Sequence, residues 1–416
     1  MQLTVEEQRI LNGEQGEVLR QFMELLVSMG ECYDAPRLIP VNNAHITSVS
    51  IAHLRKGGRK IIDSIINSEL HFKVFTTVNC LATDCTQWQE LGISEEETIK
   101  QAEVVDGLRK IGAIASFTCA PYLVGNIPRV GEHIAWGEAS AVIYANSVFG
   151  ARTNPEGTPS GLASALIGKT PLYGLHLDEN RVGQFAVRVE TKLEDPTEYG
   201  ALALFGGATH PELIPVFMDL PWYINWDGLK AMSCSLHPTS SAKMFHAIGI
   251  TPEARTEDQA FGGRKPIDTI DFGNKELEDT IQSLNTATTA RVSWIAIGCP
   301  HCSISEVSDI VRLLNGRKVS HDVSLWVFTT RPVKAMADRM GLTEAIEKAG
   351  GRIACETCLE LFTEQAIKNL GFQSQPLTTN STLLAWSLPR FKLHGLKVHY
   401  GRLKQCIDAA VSGTWR

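Results

Sequence analysis

The sequence predicts an α/β protein with mostly parallel sheets flanked by helices. Along most of the 416 residues, short apolar runs typical of strands alternate with amphipathic stretches typical of helices, and this order favours parallel sheets. The chain is also longer than a single hydrophobic core supports, so two or three domains are expected. Its hydrophobic content of 44% and charged content of 20% are ordinary for a globular protein.

The N-terminal region, residues 1–200, opens with a predicted helix that begins at a capping box of Thr4 and Glu7 and ends near Gly30. Strand-like runs follow in RLIPV and HFKVFTTV, and the helical IKQAEVVDGLRKIG then leads into the strand-like AIASFTC. The last of these runs places Cys119 at the predicted end of a strand.

Two further regions follow along the chain. Residues 201–290 mix apolar runs with the polar, glycine-containing stretch TPEARTEDQAFGGRKP, which we interpret as a linker. Residues 291–416 alternate most regularly, from the strand-like RVSWIAI to the helical RLKQCIDAAV. We therefore predict an N-terminal α/β region that carries Cys119, a middle region with a linker, and a C-terminal α/β region that carries Cys299 and Cys358.

Charge and hydropathy exclude several classes of protein. The net charge is −7 and the isoelectric point about 6.0, so no nucleic acid or anionic membrane surface is expected as a partner. No stretch reaches the roughly 18 consecutive apolar residues that a membrane span needs. The first residues are acidic and amphipathic, without the basic and apolar segments of a signal peptide, and we expect a cytoplasmic protein.

Four of the ten cysteines form two CxxC pairs, Cys299 with Cys302 and Cys355 with Cys358. Cys119, in SFTCAPY, also follows a strand-like run. In open α/β sheets, ligand sites gather at the carboxyl ends of strands, and the N–H groups at a helix start stabilise a thiolate or an anionic cluster. Three thiols from distant parts of the chain, at positions 119, 299 and 358, are therefore predicted to meet at one centre.

Four interpretations of these thiols are open. A structural zinc site commonly uses CxxC pairs about 15–20 residues apart, whereas residues 303–354 separate the pairs here. A redox disulfide between Cys299 and Cys302 fits the local order of strand, CPHC and helix, and buried cysteines without any chemistry are common. The fourth interpretation is an iron–sulfur cluster held by three thiols. Such a cluster leaves a position for a substrate hydroxyl and makes it a better leaving group, which indicates dehydratase chemistry.

Longer motifs point to a known family. The runs ANSVFGARTN and YGLHLDENR, with GCPHCSISE and ETC downstream, resemble the aconitase X family, and more narrowly the large, catalytic subunit of its two-chain form. The similarity extends from TVEEQRILNGEQGEVLRQF to VHYGRLKQCIDAA, essentially the whole chain. The resemblance implies an iron–sulfur hydro-lyase with the aconitase-like arrangement of three domains but without the swivelling domain. It also implies a separate small subunit that supplies this missing domain.

The resemblance implies site residues, motif by motif. The cluster ligands are Cys119, Cys299 and Cys358, the last of them in ETC where many relatives have DTC, and the cluster type is open among 4Fe-4S, 3Fe-4S and 2Fe-2S. The catalytic pair is Glu138 and Ser140, and an unpaired carboxylate on such an apolar stretch would be costly. The substrate contacts implied by the family motifs are Ser48, Val49, Ser50, Asn79, Cys80 and Ala139.

Two further substrate contacts are predicted from residue type. Arg152 is suited to bidentate carboxylate binding, although a buried polar network would explain it equally well. Ser381 looks like a helix N-cap and hence a candidate anion site, with plain capping as the alternative.

The implied substrate is a small hydroxylated carboxylate, either mevalonate 5-phosphate or cis-3-hydroxy-L-proline. Many relatives have NSxK near the C-terminus, where a lysine suits an anionic group, whereas NSTL puts Leu383 at that position. The alternative function is a thiol–disulfide redox protein that uses Cys299 and Cys302.

Overall fold

Three groups of short parallel strands, each with helices packed against it, make up the structure. It is a computed structural model that describes residues 1–393 and 395–416, with the backbone alone at Arg55 and Lys392. The groups follow one another along the chain, and we call them the N-terminal, middle and C-terminal units. No helix in these described ranges is long and apolar enough to cross a membrane.

The N-terminal unit contains a three-stranded parallel sheet in the order β3-β2-β4 and a short antiparallel ribbon of β1 and β5. The capping box of Thr4 and Glu7 is present, but the expected single helix is two, because residues 12–16 form a turn around two positive-φ glycines. The elements are β1 (Leu38–Pro40), β2 (Asn43–Ile46), β3 (Phe75–Val78), β4 (Ala135–Trp136), β5 (Lys169–Pro171), α1 (Val5–Leu11), α2 (Glu17–Cys32), α3 (Ile51–Asn67), α4 (Glu95–Lys110), α5 (Ala139–Ser147) and α6 (Thr158–Ile167).

The strand that the sequence predicts in AIASFTC does not form. The segment runs beside β3, with backbone hydrogen bonds to Thr76 and Val78, but the hydroxyl of Ser116 replaces one step of the ladder. It accepts the N–H of Val78 at 2.8 Å and donates to the carbonyl of Val78 at 3.0 Å. Phe117 then adopts a φ of +36°, which turns the chain away from the sheet and into the segment that carries Cys119.

The middle unit contains a parallel sheet in the order β8-β7-β6-β9, against which two almost wholly buried helices pack. The stretch interpreted as a linker belongs to this unit. It contains a short helix and buries Ala260 and Phe261, and Gly183 donates its N–H to the carbonyl of Ala260. The elements are β6 (Phe185–Val189), β7 (Pro215–Met218), β8 (His246–Ala247), β9 (Thr269–Phe272), α7 (Pro196–Thr209), α8 (Trp226–Leu236), α9 (Glu257–Ala260) and α10 (Asn274–Leu284).

The C-terminal unit contains a five-stranded parallel sheet in the order β12-β11-β10-β13-β14 with helices on both faces. The chain builds outward from β10 in one direction and then crosses to the other side, so the carboxyl end of β10 is a topological switch point, where such sheets bind ligands. The elements are β10 (Trp294–Cys302), β11 (Ser324–Thr329), β12 (Gly351–Cys355), β13 (Leu377–Thr379), β14 (Val398–Tyr400), α11 (Ile304–Leu314), α12 (Arg331–Arg339), α13 (Leu342–Ala349), α14 (Glu364–Asn369), α15 (Thr382–Ser387) and α16 (Leu403–Ser412).

An ion-pair cluster joins the N-terminal and C-terminal units beside the switch point. Arg331, at the start of α12, lies 2.8 Å from buried Asp84 and 2.7 Å from Glu356. Asp84 also accepts the N–H of Cys355 at 3.1 Å. Leu81 bridges to the same turn, and its N–H donates to the carbonyl of Glu356 at 2.8 Å. The turn that precedes Cys358 is thereby attached to both units.

Replacement of Arg331 by Ala should destabilise this junction by about 1.5–3 kcal/mol, because the carboxylates of Asp84 and Glu356 lose their charged donor. The free energy of unfolding from urea titrations followed by circular dichroism measures the loss. The matched control is Arg352→Ala, which breaks an ion pair with Glu90 whose side chains are 53% and 54% exposed and should cost less than about 1 kcal/mol.

The pH dependence of the Arg331 effect follows from Asp84. Burial favours the protonated form of Asp84, but hydrogen bonds from Thr86 and the charge of Arg331 outweigh it and lower the pKa below its ordinary value of 3.8. An acid with a lowered pKa stabilises the fold above its unfolded pKa and loses that contribution as the pH falls through its folded pKa. Burial raises the pKa of Glu356, the other partner of Arg331, above its ordinary value of 4.5. The difference between wild type and Arg331→Ala should therefore shrink as the pH falls, first as Glu356 takes up a proton and then, below about pH 3.8, as Asp84 does. A difference that is independent of pH would contradict this account.

Candidate active site

Five thiols from all three units line one cavity of about 150 Å³ at the switch point of the C-terminal sheet. Two come from the N-terminal unit, one from helix α8 of the middle unit and two from the C-terminal unit. The cavity therefore exists only where the three units meet. The five cysteines, in chain order, are Cys80, Cys119, Cys234, Cys299 and Cys358.

The backbone at the end of β10 explains how Cys299 reaches this cavity. Regular pairing of β10 with β11 ends at Ile297 and resumes only at Cys302, so the intervening residues leave the ladder. Gly298 makes the departure possible, because its φ is +105° and a Cβ there would lie 2.2 Å from the carbonyl oxygen of Phe328. Only glycine fits so close an approach of two backbones.

Cys358 and Cys119 reach the cavity from irregular segments. Cys358 follows β12 by three residues, after Glu356, whose φ of +64° is unusual for a residue with a Cβ. Cys119 follows the turn at Phe117 and precedes a short 3₁₀ helix, Pro121–Val124. Both cysteines are buried.

His301 connects the three motifs that carry these cysteines. Its backbone N–H points at the sulfur of Cys119 over 3.4 Å. Its ring lies 3.0 Å from the hydroxyl of Thr118 through Nδ1 and 2.8 Å from the carbonyl oxygen of Thr357 through Nε2. Its own carbonyl accepts a hydrogen bond from Lys230 of α8 at 3.0 Å. One residue thus contacts the neighbours of Cys119 and Cys358 and the middle unit.

These contacts define the tautomer of His301 and its role. The carbonyl of Thr357 can only accept, so Nε2 carries the proton, and Nδ1 accepts from Thr118, whose oxygen accepts the N–H of Ala120 in turn. Burial lowers the pKa of His301 to about 4, so the ring is neutral. The sulfurs of Cys80 and Cys119 and a ring nitrogen of His301 all lie within 4.8 Å of one another. Because both nitrogens are already bonded, His301 supports the site and is not a metal ligand in this arrangement.

The thiols have no cation to balance them. Burial raises the pKa of Cys80 well above its ordinary value, and Cys119 and Cys358 raise it further. The neighbouring Cys234 thiol raises the pKa of Cys299, and burial adds to the effect. Among the described residues that line this cavity, none is a lysine or arginine. Buried thiols of this kind ionise only when a positive charge lies beside them. A group of such thiols is therefore a typical set of ligands for a soft metal ion.

Polar residues occupy the side of the cavity away from β10. Glu138 caps α5 and is buried, which raises its pKa, although Ser140 and Asn79 counteract part of the increase. The amide of Asn79 donates to Glu138 over 2.6 Å and to Thr47 over 3.3 Å, while its carbonyl oxygen accepts the N–H of Cys80 over 2.8 Å. Ser140 donates to the other carboxylate oxygen of Glu138 over 3.1 Å. The carboxyl group is thus held in one orientation at the edge of the thiols.

A larger cavity of about 600 Å³ adjoins the first. The two share Ser48, His53, Glu138 and Leu383, and the outer one also contains Ala139. Phe391 borders it and is 70% exposed, so this side faces the protein surface. A molecule that approaches the thiols from the surface passes Glu138.

Four of the eight predicted substrate contacts line these cavities. Val49 and Ser50 are fully buried behind Ser48, and the hydroxyl of Ser50 lies 3.0 Å from Nδ1 of His53. Ser381 caps α15 by accepting the N–H of Leu384 at 3.3 Å. Of the predicted catalytic and substrate-binding residues, those that line either cavity are Ser48, Asn79, Cys80, Glu138, Ala139 and Ser140.

Arg152 lies outside both cavities. It forms an ion pair with Asp178 and donates to the carbonyl of His176 at 3.4 Å. Arg152 thus has partners within a polar network of the kind that the sequence left as the alternative to substrate binding, although the network is not buried, since the side chain of Asp178 is 79% exposed. Its contact with a substrate stays a prediction.

Sequence reasoning missed several residues that line the inner cavity, and four of them lie outside the motifs that the sequence singled out. Cys234 lies in α8, whose sequence WDGLKAMSCSL has no metal-binding motif, and only the packing of the middle unit places it beside Cys299. His53 and Glu360 belong to no recognised pattern either, although each is a polar residue next to a predicted site segment. Leu361 follows Glu360 in a short 3₁₀ helix and has no polar group that a sequence pattern would reveal.

The redox alternative is not favoured by the geometry of β10. Cys302 packs in the apolar cluster on one face of the C-terminal sheet, whereas Cys299 packs against the cluster on the other face. Two thiols on opposite faces of a sheet cannot form a disulfide without movement of the backbone.

The fold and the site define a multidomain α/β protein in which cysteine and histidine side chains that could hold a metal meet at the junction of three units. Family models of aconitase X match nearly the whole length of the chain: the first domain matches residues 1–179, the second residues 183–282 and the third residues 292–412. The chain belongs to the aconitase X family. It is accordingly a hydro-lyase, as its named relatives are.

The relatives are similar over most of their length. A phosphomevalonate dehydratase large subunit from Methanocaldococcus jannaschii is 41% identical over 94% of this chain and 96% of its own. A cis-3-hydroxy-L-proline dehydratase from Pseudomonas aeruginosa is 34% identical over 98% of this chain and 69% of its own. The crystal structure of Thermococcus kodakaraensis aconitase X in its holo form has a TM-score of 0.87 at 36% identity and covers 99% of this chain.

Replacement of His301 by Ala should weaken the junction of all three units. The change leaves the carbonyl of Thr357 and the hydroxyl of Thr118 buried without their partner, at about 1–3 kcal/mol for each group. Thermal unfolding measures the loss, and iron bound per chain after anaerobic reconstitution measures the effect on the thiols. His321→Ala, at a side chain that is 90% exposed, is the control and should match the wild type in both. A His301→Ala chain as stable as the wild type would show that the ring bonds do not hold the units together.

Proposed function

We propose that this chain is the catalytic subunit of an iron–sulfur dehydratase, in which Cys119, Cys299 and Cys358 hold the cluster. The observation that carries the proposal is the convergence of these three sequence-distant thiols on one buried cavity, with the carboxyl group of Glu138 at its edge. Iron–sulfur clusters are bound by thiolates, and the donors available here are sulfurs, because the nearby imidazole of His301 is already bonded.

The chain's own residues divide the work between metal and substrate. A bound cluster with an open iron would supply Lewis acidity toward a substrate hydroxyl. Glu138 is held by Asn79 and Ser140 where a substrate on the thiols would meet it. Burial raises its pKa above the ordinary value, which favours a carboxyl group that can hold and release a proton. Ser48 and Ser140 offer hydroxyls to the polar parts of the substrate.

A small partner subunit completes the site. The relatives of similar length are named large subunits, and the cis-3-hydroxy-L-proline dehydratases are longer than this chain, which covers 69% of them. The outer cavity opens at the surface beside Phe391, so the enclosure that excludes water during an elimination has to come from elsewhere. We assign that cover to the partner.

The proposed substrate is mevalonate 5-phosphate. The support is the 41% identity with a phosphomevalonate dehydratase large subunit whose length this chain matches. The second candidate is cis-3-hydroxy-L-proline, favoured by one observation: the apolar Leu383 lines both cavities at the position where many relatives have a lysine that suits an anionic group. The proline derivative carries no phosphate and needs no such lysine.

The decisive experiment is anaerobic co-expression with the small subunit, followed by assay of water loss from both substrates. We expect iron and sulfide in the purified complex, turnover of mevalonate 5-phosphate, and parallel loss of visible absorption and activity when a chelator removes iron. Each of the changes Cys119→Ser, Cys299→Ser and Cys358→Ser should abolish both. Turnover of the proline derivative alone would replace the substrate but keep the reaction. A colourless complex that turns over either substrate would overturn the cluster assignment.

Replacement of Glu138 by Gln should lower kcat by about 10²–10⁴-fold while the cluster stays bound, because the amide retains the shape and loses the transferable proton. The visible spectrum of the complex checks the cluster, and steady-state kinetics measure kcat. The matched control is Glu156→Gln, a change at a carboxyl whose pKa is also raised by burial but which accepts a hydrogen bond from Thr170 and lines neither cavity. Unchanged kcat in Glu138→Gln would remove this residue from proton transfer.

A further inference from the structure

Cys80 lies among the proposed ligands and not in an apolar core. Its sulfur lies within 4.8 Å of the sulfur of Cys119 and 3.6 Å from Nε2 of His301, and it lines the same cavity as Cys358. The residue is 2% exposed. The buried Cys302 and Cys406 pack within an apolar cluster, whereas Cys80 belongs to none of the clusters formed by the described residues.

The backbone holds Cys80 in this position from both sides. Its own N–H donates to the side chain of Asn79 at 2.8 Å. The next residue, Leu81, bridges to Thr357 and donates to the carbonyl of Glu356 at 2.8 Å. Cys80 is therefore fixed relative to the turn that carries Cys358, although the two residues belong to different units. Such a connection orders the thiols of two units against each other before any metal is bound.

We propose that Cys80 is a fourth thiolate ligand of the cluster when no substrate is bound, an assignment that rests on the proposed function. On coordination the S–H bond breaks, the proton passes to solvent and the sulfur lone pair forms the bond to iron. The chain would then supply four cysteine sulfurs to the cluster, which is the commonest set of protein ligands for iron–sulfur clusters. Cys80 would thereby protect in the resting chain the position that the substrate takes during the reaction.

Cys234 is the other accessory thiol of the cavity, and its surroundings differ. Its sulfur lies 3.9 Å from the backbone carbonyl oxygen of Cys299. The sulfur of Cys80 instead lies within 4.8 Å of the sulfur of Cys119, and Leu81 holds it beside the turn that precedes Cys358. This difference makes Cys80 the better placed donor.

The test compares iron release from the reconstituted full-length chain, without substrate, in the wild type, Cys80→Ser and Cys302→Ala. Each protein is loaded anaerobically with ferrous iron and sulfide and then exposed to EDTA. Removal of a ligand should speed iron release from Cys80→Ser by about tenfold or more, with a changed visible spectrum. Cys302→Ala removes a thiol from an apolar cluster behind the same strand and should match the wild type.

Mössbauer spectroscopy of the wild-type chain loaded with ⁵⁷Fe supplies a readout that needs no variant. All iron should have four sulfur ligands before substrate is added. A fraction of iron with oxygen ligands in the substrate-free chain, or equal release from Cys80→Ser and the wild type, would overturn the role of Cys80 and leave the proposed function intact. A wild-type chain that holds no iron and sulfide after reconstitution would overturn both.

Discussion

The bonds of His301 are the constraint on which the rest of this site depends. Its ring accepts from Thr118 and donates to Thr357, and its carbonyl accepts from Lys230, so the three units are tied at one buried residue. Each bonded partner lies next to a thiol of the cavity or on the helix that carries one. Since buried polar groups are costly without partners, the positions of the units are coupled: a shift of any one of them would break a bond at His301. The geometry of the thiols is therefore a property of the assembled chain.

Behind His301, a buried charge cluster holds the end of β10 in place. Burial alone would lower the pKa of Lys230, but Glu306 and Asp227 outweigh it and raise the pKa, so the ammonium group remains charged. Asp227 also accepts from Ser303, which caps α11 directly after the cysteine motif. The ammonium group is bonded to the carbonyl of His301 and paired with Glu306, and Lys230 does not line the inner cavity. The charge cluster thus supports the segment that follows Cys299.

The sequence was most informative where local chain chemistry decides the structure. Cys299 follows an apolar run and precedes a capping box, so its place at the end of a strand could be predicted, and the structure has it there. The sequence pattern could not exclude a strand before Cys119. The pairing with β3 is interrupted because the hydroxyl of Ser116 takes the place of a backbone group in the hydrogen-bond ladder, and this contact joins residues 38 positions apart. Cys234 was beyond sequence reasoning for the same reason. Its role arises from packing of α8 against β10, and nothing within the helix sequence records that packing.

Two helix starts at the outer cavity favour an anionic ligand there. The first turn of α3 contributes His53 to the rim and the start of α5 contributes Ala139. The N-terminus of a helix carries about half a positive charge. Glu138 and Glu360 bring negative charge to the same rim. An anionic substrate therefore gains from the helix starts only when its carboxylate lies beside those helix starts and its hydroxyl lies beside the thiols. The charge pattern therefore orients the substrate, and it does so with backbone dipoles that a partner subunit can cover without disturbing the thiols beneath.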